Sequence, residues 1–202
     1  MIKEDTYKTI TKATKPVLFK DKNSKFFGYA FPVLNEEEVK THLENLKKEH
    51  HAARHWCYAY QIGTETLAYR ANDDGEPSNS AGMPIYGQIQ SFNVTNILIV
   101  VVRYFGGVKL GVGGLINAYK TAAQMSLEAS KIITKTININ YLIVFDYKNM
   151  NTVMRVIKEK QLNITNQKLE MDCQIIISVR KKDANSIFEI FNRLYEIEIK
   201  EI

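Results

Sequence analysis

Residues 97–115 read ILIVVVRYFGGVKLGVGGL. The first six residues are apolar without interruption, which predicts a central β-strand that is covered on both faces. Glycines then recur between positions 106 and 114. A long helix is expected after them, because apolar residues lie at helical spacing at Leu115, Ala118, Ala122, Met125 and Ala129. The segment therefore predicts a buried strand, a glycine-rich turn and a helix, and the main functional question is whether the turn holds an anion.

The composition of the whole chain limits the possible classes of protein. Its 202 residues are 45% hydrophobic, which is enough for a substantial core, and the formal net charge is +5. This mild excess of positive charge permits an anionic partner without requiring one. Cys57 and Cys173 show no zinc-ligand spacing, so we expect reduced thiols and no metal or cofactor. No apolar leader or membrane-spanning run is present, and we therefore expect a cytoplasmic protein.

Local patterns predict the remaining elements of the first two thirds of the chain. Aromatic-rich runs on either side of a polar turn indicate a hairpin, and Asn35 before three glutamates is typical of a helix start. The expected elements are a hairpin at 17–31, a helix after Asn35, a strand at 57–62, a polar loop at 70–80 and a short helix with Pro84 in its first turn.

The pattern changes near residue 134, where the glycines have ended. Strand, helix, strand, strand, helix and strand are expected at 137–145, 149–160, 162–169, 172–179, 183–193 and 195–200. This βαββαβ order predicts a ferredoxin-like sandwich. The chain is therefore expected to be an α+β protein of two domains, residues 1–133 and 134–202.

The glycine turn has a composition that suits anion binding. Glycines let backbone N–H groups face a ligand, and the start of the following helix adds partial positive charge. Arg103 before the turn and Lys109 within it could add charge. The candidate backbone positions are Gly106, Gly107, Gly111, Gly113 and Gly114. Neither a Walker A loop nor the dinucleotide fingerprint fits, and glycines required only by backbone geometry and packing remain the alternative.

Two further clusters contain polar residues. Asp73, Asp74 and Glu76 lie close to Arg70 and suggest either Mg²⁺ ligands or an acid and base, although Asn-Asp-Asp-Gly is also strong turn chemistry. An EF-hand is excluded by the spacing. Upstream, residues 50–56 contain three histidines, among them His55, and the single tryptophan. They suggest either a basic loop with an aromatic for stacking or side chains that fill the space between a helix and a strand.

Three motifs in register give the chain a family resemblance. They are Arg54–Gly63, Arg70–Ser78 with Ala81-Gly82, and Val102–Leu115. Over nearly its whole length the chain resembles the YigZ/Impact family. The resemblance implies an N-terminal domain like the second domain of ribosomal protein S5 and a ferredoxin-like C-terminal domain like the last domain of elongation factor G. It also implies a shared motif surface, which here comprises His55, Arg70, Asp73, Asp74, Glu76, Arg103, Lys109 and the five glycines.

The resemblance departs from the family pattern at one place and implies no catalytic residue. Arg54-His-Trp-Cys stands where the family has a more histidine-rich start. The leading hypothesis is a non-enzymatic binder of RNA, the ribosome or another polyanion in translation or its regulation. It rests on the net positive charge, on Arg103 and Lys109 beside the glycine turn and on the family resemblance. The alternative is an enzyme for a small phosphorylated or peptide-like substrate at the acidic loop and glycine turn. A protein-interaction module using Phe188, Phe191 and Tyr195 is a third hypothesis, and the sequence indicates no oligomeric state.

Overall fold

The computed structural model describes residues 5–202, which it divides into two units. The first unit is Tyr7–Lys135, and the second comprises residues 136–202 together with residues 5 and 6. Both units combine helices with β-strands, so the α+β class is confirmed. The domain boundary after residue 133 stays a prediction, because compactness alone does not show that either unit folds independently. No helix of residues 5–202 is long and apolar enough to cross a membrane.

The first part of the chain forms a sheet with helices on both faces. Its elements are β1 (Thr6–Ile10), β2 (Val17–Asp21), β3 (Ser24–Pro32), α1 (Glu36–Glu49), β4 (His55–Ile62), β5 (Ala68–Asn72), α2 (Gly82–Ser91), β6 (Ile97–Tyr104), α3 (Gly111–Glu128) and β7 (Ile132–Thr136). Among the described residues, five strands form one sheet in the order β2-β3-β6-β4-β5, and β1 pairs separately with β7.

Strand β6 lies at the centre of this sheet, antiparallel to β3 and β4. Residues 97–102 are completely buried, as the uninterrupted apolar run predicted. Ile97, Ile99 and Val101 belong to the core shared with α2 and α3. Leu98, Val100 and Val102 belong to the core on the α1 face. Successive side chains of β6 therefore face opposite cores. Since paired residues of β3 and β4 face the same side as their β6 partners, this alternation decides which of their side chains lie beside the glycine turn.

Two expectations about the first part of the chain were wrong in their bounds. Residues 70–72 lie in strand β5 and not in a loop. Most of its side chains are exposed at the sheet edge, so the apolar alternation that signals a strand is missing. The glycine turn is also shorter than expected, because α3 begins at Gly111. Gly111, Gly113 and Gly114 therefore belong to the first helical turn.

The second unit has the predicted βαββαβ order. Its elements are β8 (Asn138–Asp146), a short 3₁₀ helix (Tyr147–Asn149), α4 (Met150–Glu159), β9 (Asn163–Lys168), β10 (Asp172–Arg180), α5 (Lys181–Asn192) and β11 (Ile197–Glu201). Within the described chain, four strands form an antiparallel sheet in the order β11-β8-β10-β9. Phe191 is fully buried in its core and Phe188 is partly buried, whereas Tyr195 is exposed. Phe191 is therefore not available to a partner.

Candidate anion-binding site

A cleft of about 400 Å³ lies between the end of β6, the start of α3 and the acidic loop. Residues from all three sequence motifs line it. The polar lining residues are Arg54, His55, Glu76, Arg103 and Lys109, and the remaining ones are Pro77, Phe105, Leu110, Gly111, Val112 and Leu115. Four of the five polar residues carry or can carry positive charge, so the cleft suits an anion that also has apolar surface.

The N-terminus of α3 opens into this cleft without a cap. Its N-cap residue is Leu110, whose side chain makes no capping hydrogen bond, and its first turn contains no acidic residue. Helix α1 differs, because the side chain of Asn35 accepts from the backbone N–H of Glu38 and three glutamates occupy its first turn. The first N–H groups of a helix lack intrahelical partners and carry partial positive charge. The start of α3 can therefore bind an anion.

The glycines near the cleft have different roles. A Cβ on Gly106 would lie 2.1 Å from the carbonyl carbon of Asn23, so this position requires glycine for packing against the hairpin turn. Gly107 and Gly111 have φ values of +86° and +73°, which side chains rarely adopt. Gly113 differs, since an added Cβ would meet nothing within 4 Å and its φ is not positive. Neither packing nor backbone geometry requires a glycine at position 113.

A buried ion pair forms part of the wall of the cleft. Arg103 Nη1 donates to Glu76 Oε1 over 2.6 Å, and the two side chains are only 7% and 4% exposed. Tyr119 Oη donates to the same carboxylate oxygen over 2.8 Å. The rings of Phe26 and Phe105 lie 5.4 and 5.6 Å from the guanidinium carbon. Glu76 therefore holds Arg103 in one orientation and is not a free carboxylate.

The other two carboxylates of the acidic loop accept hydrogen bonds from the backbone. Asp73 Oδ1 accepts from the N–H groups of Ala81 and Gly82 at the start of α2, over 2.9 and 2.8 Å. Asp74 Oδ2 accepts from the backbone N–H of Trp56 over 2.7 Å. Neither carboxylate lines the cleft. In residues 5–202 no group of three histidine, cysteine or acidic side chains is placed to hold a metal ion.

The register between β4 and β6 brings His55 beside Arg103. The two residues are direct partners across the antiparallel pair, so their side chains project from the same face. His55 Nδ1 lies 2.8 Å from the carbonyl oxygen of Asp74, and this nitrogen must donate because a carbonyl only accepts. The hydrogen bond fixes the ring at the wall of the cleft and leaves Nε2 without its proton when the ring is neutral.

Comparison with known proteins identifies the family. A model described as the Impact N-terminal domain matches residues 22–127, a range that contains every residue of the cleft. The chain belongs to the IMPACT family. It is 31% identical to an IMPACT family member of Haemophilus influenzae over 80% of this chain and 79% of that protein. It is 30% identical to the IMPACT family member YvyE of Bacillus subtilis over 94% of this chain and 87% of that one.

A solved structure extends the likeness to the overall fold. It is described as the crystal structure of an hypothetical protein. It matches this chain with a TM-score of 0.73 and 24% sequence identity, and the match covers 98% of both chains. The family model and the two relatives confirm the family resemblance inferred from the three motifs. The likeness to that structure concerns the fold alone.

The structure does not bring all the IMPACT motif residues together. Arg70 was grouped with the anion-binding candidates, but it is paired with Tyr60 across β5 and β4. Tyr60 packs on the α1 face, and Arg70 lines a separate groove there with Glu36 and Tyr58. The histidines of residues 50–56 are also separated. His55 lines the cleft, whereas His50 is buried on the α1 face and hydrogen-bonds to Tyr29 and Tyr104. Arg70 is therefore not part of the cleft.

Beneath the IMPACT cleft, Cys57 and Tyr119 form a buried polar pair. Cys57 Sγ donates to the carbonyl oxygen of Asp73 over 3.0 Å and lies 3.3 Å from Tyr119 Oη. Burial raises the pKa of the Cys57 thiol and also raises the pKa of the Tyr119 hydroxyl. Both groups stay protonated near neutral pH, which makes Cys57 a poor nucleophile.

Six residues that line the IMPACT cleft were not predicted as site residues, and Arg54 and Phe105 are the two of them with a charged or aromatic side chain. Both lie within the quoted motifs, but each precedes or follows a strand end, where the direction of a side chain depends on the local turn. Phe105 is 47% exposed although it is a large apolar residue. An aromatic residue directly after the cationic end of a strand was the available signal.

Proposed function

We propose that this IMPACT-family protein binds RNA through the cleft, as free RNA or on the ribosome, and acts in translation or its regulation as a binder. The observation that carries the proposal is the uncapped N-terminus of α3, which faces a cleft that Arg103, Lys109 and Arg54 also line. Phosphate is the anion that RNA presents along its whole length.

The charges in the cleft have complementary roles in this proposal. Arg103 is buried and held by Glu76, so its guanidinium is ordered before a ligand arrives. Lys109 and Arg54 are exposed and can adjust to a phosphate oxygen. Backbone N–H groups at the helix start add donors that carry no net charge. An ordered arginine beside mobile cations suits a phosphodiester backbone better than a neutral ligand.

Family membership supports translation as the context. The motif resemblance implies domains related to ribosomal protein S5 and elongation factor G, which work with RNA or the ribosome.

The enzyme alternative has weaker support. It requires free acidic groups facing the glycine turn, and Glu76 does share the cleft with Gly111. However, Glu76 is paired with Arg103, and the carboxylates of Asp73 and Asp74 accept backbone hydrogen bonds. A general acid or base needs a proton that it can exchange with a substrate, and none of these three carboxylates is arranged for that role.

Sedimentation of cell lysate through sucrose gradients at low and high salt tests the proposal. We expect the wild-type protein to migrate with ribosomal particles at low salt and to leave them at high salt. A Lys109→Ala/Arg54→Ala variant should stay near the top of the gradient. The matched control is Lys20→Ala/Lys48→Ala, which removes the same charge from exposed positions outside the cleft. A wild-type protein that binds neither particles nor free RNA would contradict the proposal.

A further inference from the structure

Phe105 is a large apolar residue that is partly exposed to solvent and does not belong to a buried core. Phe105 is 47% exposed, more than any other phenylalanine among residues 5–202. It lies directly after β6, lines the cleft and contacts the guanidinium group of Arg103. Val112 on the first turn of α3 is also exposed and lines the same cleft. An aromatic ring thus lies beside the uncapped helix start.

Arg103 gives a second and independent indication of a ligand. Its side chain is 7% exposed and forms part of the cleft wall. Within the described residues its buried Nε has no hydrogen-bond partner, although nearly all buried donors in proteins are paired. The cleft therefore combines an incompletely paired buried cation, an uncapped helix start and an exposed aromatic ring.

An anion site beside an exposed aromatic ring distinguishes unpaired RNA from duplex RNA. A phosphate contact is common to single strands and duplexes and carries no information about pairing. A base can stack on an aromatic side chain only when it is unstacked from its neighbours, as in single strands, loops and ends. Inside a duplex each base is stacked on both faces, so Phe105 can reach only the outer faces of the two terminal pairs. A cleft of about 400 Å³ also has room for about one nucleotide.

We infer that the ligand of the cleft is single-stranded RNA, with one phosphate at the start of α3 and the adjoining base stacked on Phe105. The inference rests on the proposed function and specifies the form of RNA that the site accepts. The phosphate contacts supply affinity, and the contact with Phe105 supplies the preference for unpaired RNA.

Fluorescence anisotropy of the full chain with two labelled RNAs tests this inference. The probes are a 12-nucleotide strand without self-complementarity and the blunt duplex that it forms with its complement, at one salt concentration. We expect tighter binding of the single strand. Phe105→Ala should weaken single-strand binding between about 5-fold and 150-fold, which is the range for loss of one stacked base, and should weaken duplex binding much less. Phe105→Trp should restore the preference.

A matched control separates stacking from a general loss of aromatic surface. Tyr195 is 86% exposed and lies in the second unit, so Tyr195→Ala should change neither affinity. Thermal melts of the Phe105 variants should lie within a few degrees of the wild type, because Phe105 is already 47% exposed in the folded protein. Equal affinity of the wild type for the two RNAs, or equal losses for both in Phe105→Ala, would overturn the inference and leave RNA binding intact. If neither RNA nor ribosomal particles bound, the proposed function would fail instead.

Discussion

Replacing Glu76 with glutamine keeps the size of the side chain and removes the charge that balances Arg103. Glu76 Oε1 accepts hydrogen bonds from Arg103 Nη1 and Tyr119 Oη over 2.6 and 2.8 Å, and both members of the ion pair are more than nine-tenths buried. The variant would leave the guanidinium buried without a counter-charge. Breaking a buried ion pair at one partner typically costs about 3–5 kcal/mol. Because the cleft admits water beside Arg103, we expect a loss of about 3 kcal/mol.

Urea unfolding followed by tryptophan fluorescence measures this loss. Trp56 is the only tryptophan of the chain, and it lies on β4 in the same unit as Glu76. A loss of about 3 kcal/mol would consume a large part of the usual stability of a domain and lower the melting temperature by roughly 10 °C. Glu44→Gln, at an exposed position on α1, is the matched control and should change stability by less than about 0.5 kcal/mol.

An unfolding midpoint for Glu76→Gln equal to that of the wild type would refute this reasoning. It would mean that water solvates Arg103 in the folded state and that Glu76 does not hold it. The view of Arg103 as an ordered wall of the cleft would then be wrong.

Three further variants test other parts of the account. Gly113→Ala should raise the unfolding free energy by about 0.5 kcal/mol in urea titrations, because alanine suits a helix better and meets no neighbour. A lower unfolding free energy would mean that the added methyl group clashes there. Asp73→Ala should lower the unfolding free energy by about 1–2 kcal/mol in urea titrations, since α2 loses its cap. Burial raises the pKa values of Tyr29 and Tyr60 to about 12, so the folded state retains protons that the unfolded state loses, and stability should fall as pH rises from about 10 to 12. Urea midpoints at about pH 8 and about pH 11 should differ less in Tyr60→Phe, and an equal drop would exclude Tyr60 as a source.

The sequence predicted elements whose signal is local. Strand β6 was predictable because six consecutive apolar residues directly before a glycine-rich turn are typical of a strand covered on both faces. Strand β5 was not, since an edge strand with exposed side chains has no apolar alternation. The βαββαβ order of the second unit was predictable because each of its helices has a distinct apolar face.

The cleft was predictable only in part, because strand register decides which side chains meet. Arg103 and Lys109 lie in one motif, and their proximity to Gly111 follows from the chain itself. The position of His55 depends on its pairing with Arg103 across β4 and β6, and that of Arg70 on its pairing with Tyr60. A shift of one residue would exchange the faces of all these side chains. The pairing of Glu76 with Arg103 is likewise a tertiary contact without a sequence signal.

The salt dependence of RNA binding tests the central claim most directly. The affinity of the wild type and of Lys109→Ala for single-stranded RNA would be measured over a range of salt concentrations, with Lys48→Ala as the control. If Lys109 contacts a phosphate in the cleft, its variant should bind more weakly, and the slope of log affinity against log salt should be shallower by about 0.7. The control should match the wild type. Equal slopes and affinities for Lys109→Ala and the wild type would contradict phosphate binding at the start of α3.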